Sequence, residues 1–192
     1  MKNKKVIILE GADCSGKSSL CEHIQKLSEG KCHTLHSNYS KNLPKSNHRR
    51  QHKLITKFIK KQFSNKYYTE NHTVILDRSY FSDITYGTIG YGSKGTLRSK
   101  FKYFDKLLNI ITKTEKINVY FIYCRPNKTK FNPNIKDELL DNQENSLMEY
   151  IYDTIIFSET MHYVLNKNKI KFYVYNFNVD SNYKFIDKFL EN

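Results

Sequence analysis

The chain has 192 residues, of which 39% are hydrophobic and 27% are charged, and its formal net charge is +13. This length suits one domain with a buried core, and the composition excludes a disordered or fibrous chain. No stretch approaches the roughly 20 apolar residues of a membrane span, and the apolar run near the amino terminus is too short for a signal peptide. We therefore expect a single cytoplasmic domain over residues 1–192, in the host cytoplasm if the protein is viral, with no membrane contact.

The first half of the chain alternates short apolar runs with helical patterns. Residues 5–10 (KVIILE) are typical of a buried strand, and residues 18–29 place Leu20, Ile24 and Leu27 on one helix face. Residues 31–37 form a weaker second strand, and residues 47–64 again have helical spacing. Residues 72–77 (HTVILD) predict a third buried strand that ends at Asp77.

The second half repeats the alternation. Helical segments follow Asp77, the longer over about residues 98–114, and residues 117–124 (INVYFIYC) predict a fourth strand. A loop with two prolines precedes a helix over about residues 143–166, a fifth strand over 170–177 and a terminal helix over 181–190. Continuously apolar strands separated by helices predict an α/β fold with a five-stranded parallel sheet covered on both faces.

Residues 9–19 (LEGADCSGKSS) contain the phosphate-loop pattern GxxxxGK[ST] between the first predicted strand and helix. The glycines let the backbone fold around phosphate, and its amides and the helix amino terminus attract negative charge. Lys17 would reach the outer phosphates, and Ser18 is a candidate Mg²⁺ ligand. We predict that this loop binds a nucleotide, through the residues Gly11, Asp13, Cys14, Ser15, Gly16, Lys17, Ser18 and Ser19.

A second motif, VILDRSYFSDITYG at residues 74–87, begins in the third predicted strand and continues beyond its carboxyl end. Ligands of parallel sheets gather at that edge. Asp77 is a candidate for holding Mg²⁺ or its water shell, and Arg78 offers a planar fork suited to a second phosphate. The alternative reading of this pair is a salt bridge at the end of a strand.

Together the two motifs resemble those of the thymidylate kinase family of P-loop nucleoside monophosphate kinases, especially its short phage or viral members. EGADCSGKSS matches the family's phosphate loop, and Asp77, Arg78, Ser82 and Tyr86 stand at the spacings of its second motif. The resemblance implies a three-layer α/β/α kinase domain that binds ATP and Mg²⁺. It also implies that Asp13 meets the acceptor's 3′-hydroxyl, Arg78 its 5′-phosphate, and that Tyr86 excludes a 2′-hydroxyl.

The resemblance further implies a lid loop, here over about residues 125–142, whose cations neutralise the transferring phosphoryl group. Arg125 is the arginine available there, so the predicted catalytic set is Lys17, Asp77, Arg78 and Arg125. Thr85 and Gly87 depart from the family's pattern beside the tyrosine, and the candidate base contacts are Phe58 with Arg49 or Arg50.

These motifs predict in-line transfer of the ATP γ-phosphoryl group to a deoxynucleoside monophosphate such as dTMP. Three alternatives stay open. One is a deoxynucleoside kinase, because Asp77-Arg78-Ser79 is similar to the Glu-Arg-Ser motif of that family. Another is a kinase acting on hydroxymethylated pyrimidines in DNA, which would suit the charge of +13 better. The third is a nucleotide-dependent switch or nucleic-acid-binding ATPase. Whether the chain forms a homodimer is also left open.

Overall fold

The computed structural model describes residues 4–28, 31–37, 47–64, 72–79, 81–87, 96–113, 117–125 and 142–191. Five parallel strands form one sheet in the order β2-β3-β1-β4-β5. The strands are β1 (Lys4–Glu10), β2 (Cys32–His36), β3 (Thr73–Asp77), β4 (Ile117–Cys124) and β5 (Lys171–Tyr175). The helices within the described ranges are α1 (Lys17–Leu27), α2 (Asn47–Ser64), α3 (Phe81–Tyr86), α4 (Leu97–Thr112), α5 (Asn142–Ile156), α6 (Glu159–Lys167) and α7 (Lys184–Glu191). The predicted five-stranded parallel sheet is confirmed.

Helices cover both faces of this sheet, as predicted. Side chains of a strand alternate between faces, so the buried residues of β1 enter two separate cores. Val6 and Ile8 pack with the core formed by α2 to α6, whereas Ile7 and Leu9 pack with α1 and α7. Burial on both faces explains why the strands are apolar runs without alternation. The architecture is three layers, α/β/α.

The register of the sheet brings the two sequence motifs to one edge. Leu9 in β1 lies opposite Asp77 in β3, and the amide of Arg78 donates to the carbonyl oxygen of Leu9 over 3.0 Å. The phosphate loop therefore begins beside the residues that follow β3.

The predicted single helix over residues 143–166 is wrong. Two helices occupy this segment, because α5 ends at Ile156 and α6 begins at Glu159. Ser158 has an extended backbone, and its hydroxyl accepts from the amide of Met161 over 3.3 Å. This is the geometry of an N-cap, which begins a new helix although the apolar spacing continues through it.

The last helix begins three residues later than the predicted start at residue 181. The buried carboxylate of Asp180 accepts from the amides of Phe185 and Ile186 over 3.1 and 2.9 Å. These bonds satisfy amide groups in the first turn of α7, so the residues before Lys184 form a turn instead.

Residues 126–141, which hold nearly all of the predicted lid loop, lie outside the described residues. Among the helices that the structure describes, none has the length and apolar character needed to cross a bilayer. The extent of the single domain and the cytoplasmic location stay predictions.

The stability of the protein is expected to fall as the pH drops from about 6.5 toward 4. His72 is fully buried and packs against Phe63 with ring centroids 5.6 Å apart. Burial, His33 and Lys4 lower its pKa to about 4. Because the unfolded chain then binds a proton that the folded chain rejects, acid favours unfolding.

The measurement is urea denaturation of wild type and His72→Phe at several pH values. The variant keeps an aromatic ring against Phe63 and should lose less stability than wild type on acidification. His162→Phe, at an exposed position on α6, serves as the matched control and should follow wild type. If His72→Phe and wild type lost the same unfolding free energy on acidification, the role given to His72 would be contradicted.

Candidate functional site

The phosphate loop occupies the turn between β1 and α1, and two of its glycines are required by its shape. Gly11 has φ 149° and Gly16 has φ 84°, both in the range that favours glycine. A Cβ atom on Gly11 would collide with the carbonyl oxygen of Cys124, and one on Gly16 would lie 2.8 Å from the ring of Phe177. The loop thus packs against β4 on one side and against the segment that follows β5 on the other.

Lys17 begins α1 and its side chain folds back across this loop. Its ammonium donates to the carbonyl oxygens of Gly11, over 3.0 Å, and Ala12, and to the hydroxyl of Ser15 over 3.1 Å. Burial and the nearby Arg78 lower the pKa of Lys17 to about 8. The helix has no acidic residue in its first turn. A buried cation and an unopposed helix amino terminus therefore meet at the loop, which is the arrangement that binds phosphate.

Arg78 stands just beyond β3 in a left-handed backbone conformation, with φ 62°. Its guanidinium forms an ion pair with Asp13 and donates to the carbonyl oxygen of Gly11 over 3.1 Å. It also lies 5.0 Å from the ring centroid of Tyr86, whose hydroxyl donates to Asp13 over 2.9 Å. The structure thus brings together Asp13, Arg78 and Tyr86, the three residues with acceptor roles implied by the sequence resemblance.

Burial raises the pKa of the Tyr86 phenol, so its hydroxyl remains a neutral donor to the Asp13 carboxylate. The ring of Tyr86 also offers its face to the guanidinium, which is a favourable cation–π arrangement. Asp13 is held from two sides in consequence, by a cation and by a phenol.

Glu10 is a fully buried carboxylate that sequence reasoning missed. Its Oε1 accepts from the amide and the hydroxyl of Ser79, both over 2.7 Å, and its Oε2 accepts from the hydroxyl of Ser82 over 2.6 Å. Burial raises its pKa, while these hydrogen bonds and Arg78 oppose the rise. Glu10 thereby fastens the end of β1 to the turn that carries Arg78. The available signal was its place directly before Gly11, at the carboxyl end of a buried strand.

Asp77 ends β3 with its two carboxylate oxygens in different surroundings. Oδ2 lies 2.7 Å from Nδ1 of His36 at the end of β2, whereas Oδ1 is buried and has no hydrogen-bond partner among the described residues. A buried, uncommitted carboxylate oxygen beside the Ser18 end of the phosphate loop suits a hard cation such as Mg²⁺ or a water that it binds. No group of three or more His, Cys, Asp or Glu side chains within the described residues forms a metal cluster.

The phosphate loop, Asp77 and Arg78 line a cleft of about 560 Å³. Residues 13–19 with Asp77 and Arg78 form its polar wall, and the aromatic side chains of Tyr175, Phe177 and Tyr183 form an aromatic wall. The aromatic wall comes from the end of β5 and the turn after it, and sequence reasoning missed it. Its signal was a run of aromatic residues at the carboxyl end of a predicted strand, which is the ligand edge of the sheet.

Arg125 is engaged in an ion pair with a residue outside the cleft. It follows β4 and forms a two-pronged ion pair with Asp153 of α5, with N–O distances of 2.8 and 2.7 Å. The hydroxyl of Tyr123 donates to the same carboxylate over 2.7 Å. Arg125 is not among the residues that line the cleft described above. Its catalytic role stays a prediction.

Solved structures resemble this chain over most of its length. The YorR protein of Bacillus subtilis, in complex with phosphorylated GDP, is 17% identical with a TM-score of 0.54, and the match covers 95% of each chain. Polyphosphate kinase 2 of Arthrobacter aurescens TC1 is 12% identical with a TM-score of 0.52, over 91% of this chain and 61% of its own. Thymidylate kinase of Candida albicans is 13% identical with a TM-score of 0.49, over 98% and 94%.

The likeness to the first two structures confirms the predicted fold class, a three-layer α/β/α fold around a five-stranded parallel sheet. The overlap with thymidylate kinase is too loose to carry an argument. No protein-family model matches the sequence, and a search of curated proteins finds no similar one. The specific resemblance to thymidylate kinases stays a prediction based on the motifs.

Removing the buried carboxylate of Glu10 is expected to lower the free energy of unfolding by at least about 3 kcal/mol, because buried donors of Ser79 and Ser82 lose their acceptor. Glu10→Gln retains one acceptor oxygen and should lose less than Glu10→Ala. The exposed Glu22→Ala on α1 is the control and should change stability little. Denaturant unfolding measures all three, and equal stability of Glu10→Ala and wild type would contradict the account.

Proposed function

We propose that this protein is an ATP-dependent kinase that transfers the γ-phosphoryl group to the 5′-phosphate of a deoxynucleoside monophosphate, forming the diphosphate and ADP. The observation that carries the proposal is the cluster of Asp13, Arg78 and Tyr86 beside the phosphate loop. A switch or simple ATPase binds one phosphate-bearing substrate, its nucleotide, and also needs a residue that positions the attacking water. A second cationic site next to it supports a second phosphate-bearing substrate.

The donor side of the proposed site is the loop and the aromatic wall. The backbone of residues 13–19 and the Lys17 ammonium are suited to hold the phosphates of ATP. The aromatic wall adds an apolar surface beside the loop, in which the ring of Tyr183 is itself stacked on His23 with centroids 3.9 Å apart. Ser18 and the free Oδ1 of Asp77 would hold Mg²⁺ or its water shell. Bound there, the metal would neutralise charge on the phosphate oxygens.

The acceptor side depends on donors that Arg78 still has available. A guanidinium has five N–H groups, and three hydrogen bonds to described residues use Asp13, Gly11 and Tyr152. The remaining N–H groups can bind a phosphate without dismantling this framework. Asp13 and the Tyr86 hydroxyl, already hydrogen-bonded to each other, would face the acceptor's sugar.

The experiment is a panel of deoxynucleosides, their 5′-monophosphates and modified duplex DNA, each incubated with ATP and Mg²⁺ and analysed for the phosphorylated product. We expect product from at least one deoxynucleoside monophosphate. Lys17→Ala should remove turnover from a folded protein. Phosphorylation of a nucleoside hydroxyl or of DNA alone would replace the proposal by one of its alternatives.

Arg78→Lys should lower acceptor affinity and catalytic efficiency by at least about tenfold, because a lysine keeps the charge and loses the fork that gives about 1.5 to 3 kcal/mol. Steady-state kinetics with varied acceptor measure the loss. ATP affinity, measured by calorimetry without acceptor, should remain near that of wild type. Collapse of ATP affinity with intact acceptor binding would move Arg78 to the donor side.

His36→Ala should weaken Mg²⁺ binding in the presence of ADP by up to about tenfold, because His36 holds the Oδ2 atom of Asp77 and leaves Oδ1 directed elsewhere. His36→Asn retains an N–H donor and should recover part of the affinity. Competition with Mn²⁺, followed by electron paramagnetic resonance, measures binding without turnover. His33→Ala on the same strand is the control, and an equal loss there would contradict the role of His36.

A further inference from the structure

One face of α2 carries a concentrated positive charge. Six basic residues of this helix are exposed: Arg49, Arg50, Lys53, Lys57, Lys60 and Lys61. At about 100° per residue they fall within an arc of about 120°, and they extend along about 18 Å of the helix. The opposite side of the helix buries Ile55 and Ile59 in the core. We call these six residues the basic face.

The clustering of basic residues on α2 does not stabilise the helix. Surface helices are commonly supported by acidic and basic residues four positions apart, but the sequence of α2 contains no acidic residue. Arg49, Lys53, Lys57 and Lys61 instead follow one another at that spacing. Neighbouring like charges weaken a helix. A negatively charged partner would relieve the repulsion.

The positive surface continues onto α4. The ring of His52 in α2 packs against Tyr103 in α4, with centroids 5.5 Å apart, and Lys102 and Lys106 of α4 are exposed. The ammonium of Lys106 lies 5.5 Å from the ring centroid of Tyr103, the ring that packs against His52, and burial and Lys106 both lower the pKa of His52. The adjacent helices α2 and α4 therefore both carry exposed cations.

We propose that the basic face binds the phosphodiester backbone of duplex nucleic acid without reading its sequence. A duplex carries about one negative charge per 1.7 Å of its axis, so it can engage cations spread over about 18 Å. A mononucleotide is too short to do so. Single strands are bound by stacking on aromatic side chains, and Tyr103, the ring described beside the basic face, is already packed against His52 and lies 5.5 Å from the Lys106 ammonium.

This function is independent of the proposed phosphotransfer. No residue of the basic face belongs to the phosphate loop or lines the cleft. Arg49 and Arg50 are candidates for base contacts to the acceptor, so the variants below change only Lys53, Lys57 and Lys60, which have no role in the proposed phosphotransfer. The basic face would keep the enzyme on nucleic acid, where nucleotides are consumed or modified. Loss of DNA binding would leave the kinase assignment standing, and failure of the kinase assay would leave DNA binding to be measured by itself.

The test is fluorescence anisotropy of a labelled duplex DNA titrated with the full chain over a series of salt concentrations. Binding should weaken steeply with salt. The triple variant Lys53→Gln, Lys57→Gln, Lys60→Gln should reduce the slope of log affinity against log salt by about 2.7, since each phosphate contact contributes about 0.9. Glutamine is a good helix former and relieves the repulsion, so the variant should melt no lower than wild type.

Two controls separate the basic face from total charge. A triple variant with Lys26→Gln, Lys113→Gln and Lys184→Gln removes the same charge from exposed positions on three other parts of the surface and should bind DNA as wild type does. Replacing the three basic-face lysines by arginine should preserve binding. Equal losses in the two glutamine variants would overturn the proposal.

Titrations with other polyanions test which ligand the basic face binds. Duplex RNA should bind with a similar salt dependence, because the shared chemistry is the duplex backbone. A single strand of the same length should bind more weakly. Tighter binding to the single strand, or binding to vesicles of anionic phosphatidylserine without binding to duplexes, would overturn the proposal.

Discussion

The candidate site depends on one buried carboxylate. Glu10 is the last residue of the central strand β1, directly before the phosphate loop. It accepts hydrogen bonds from Ser79 and Ser82, which follow the neighbouring strand β3. A buried carboxylate is tolerated only where such donors replace water. The same bonds determine where the chain turns after β3. Arg78, one residue before Ser79, is therefore held against the loop by the fold itself and not only by its own ion pair.

The charges of the site are balanced within a small volume. Burial and the nearby Arg78 lower the pKa of Lys17, whereas the carboxylates of Asp13 and Glu10 help to raise the pKa of Arg78 against the effect of burial. Lys17 uses backbone carbonyl oxygens, whereas Arg78 uses a carboxylate, a carbonyl oxygen and a phenol. Two cations held in place by different acceptors form a rigid positive pair. Such preorganisation is what transfer of a highly charged phosphoryl group requires, because the charge need not be assembled during the reaction.

Much of this could be predicted from the sequence because it is local. The strands are apolar runs, the loop follows a fixed spacing, and the parallel sheet brings residues after β1 and β3 to one edge. The missing parts are contacts between residues far apart in the chain. Nothing near Arg125 in sequence indicates that Asp153 pairs with it, and nothing near Asp77 indicates that His36 lies 2.7 Å away. Apolar spacing likewise continues through Ser158, so periodicity alone missed a helix boundary that a capping hydroxyl determines.

The positive charge of the chain divides into two kinds by its surroundings. Lys17 and Arg78 are desolvated and aimed by hydrogen bonds, so their interactions with a ligand are short-ranged and geometrically selective. The six cations of the basic face are exposed and share a helix without a single acid. Their field is screened beyond about 8 to 10 Å at ordinary ionic strength, and it selects for charge density rather than shape. A net charge of +13 thus need not serve one ligand, since on these two proposals the buried cations would discriminate between phosphates and the exposed ones would hold a polymer.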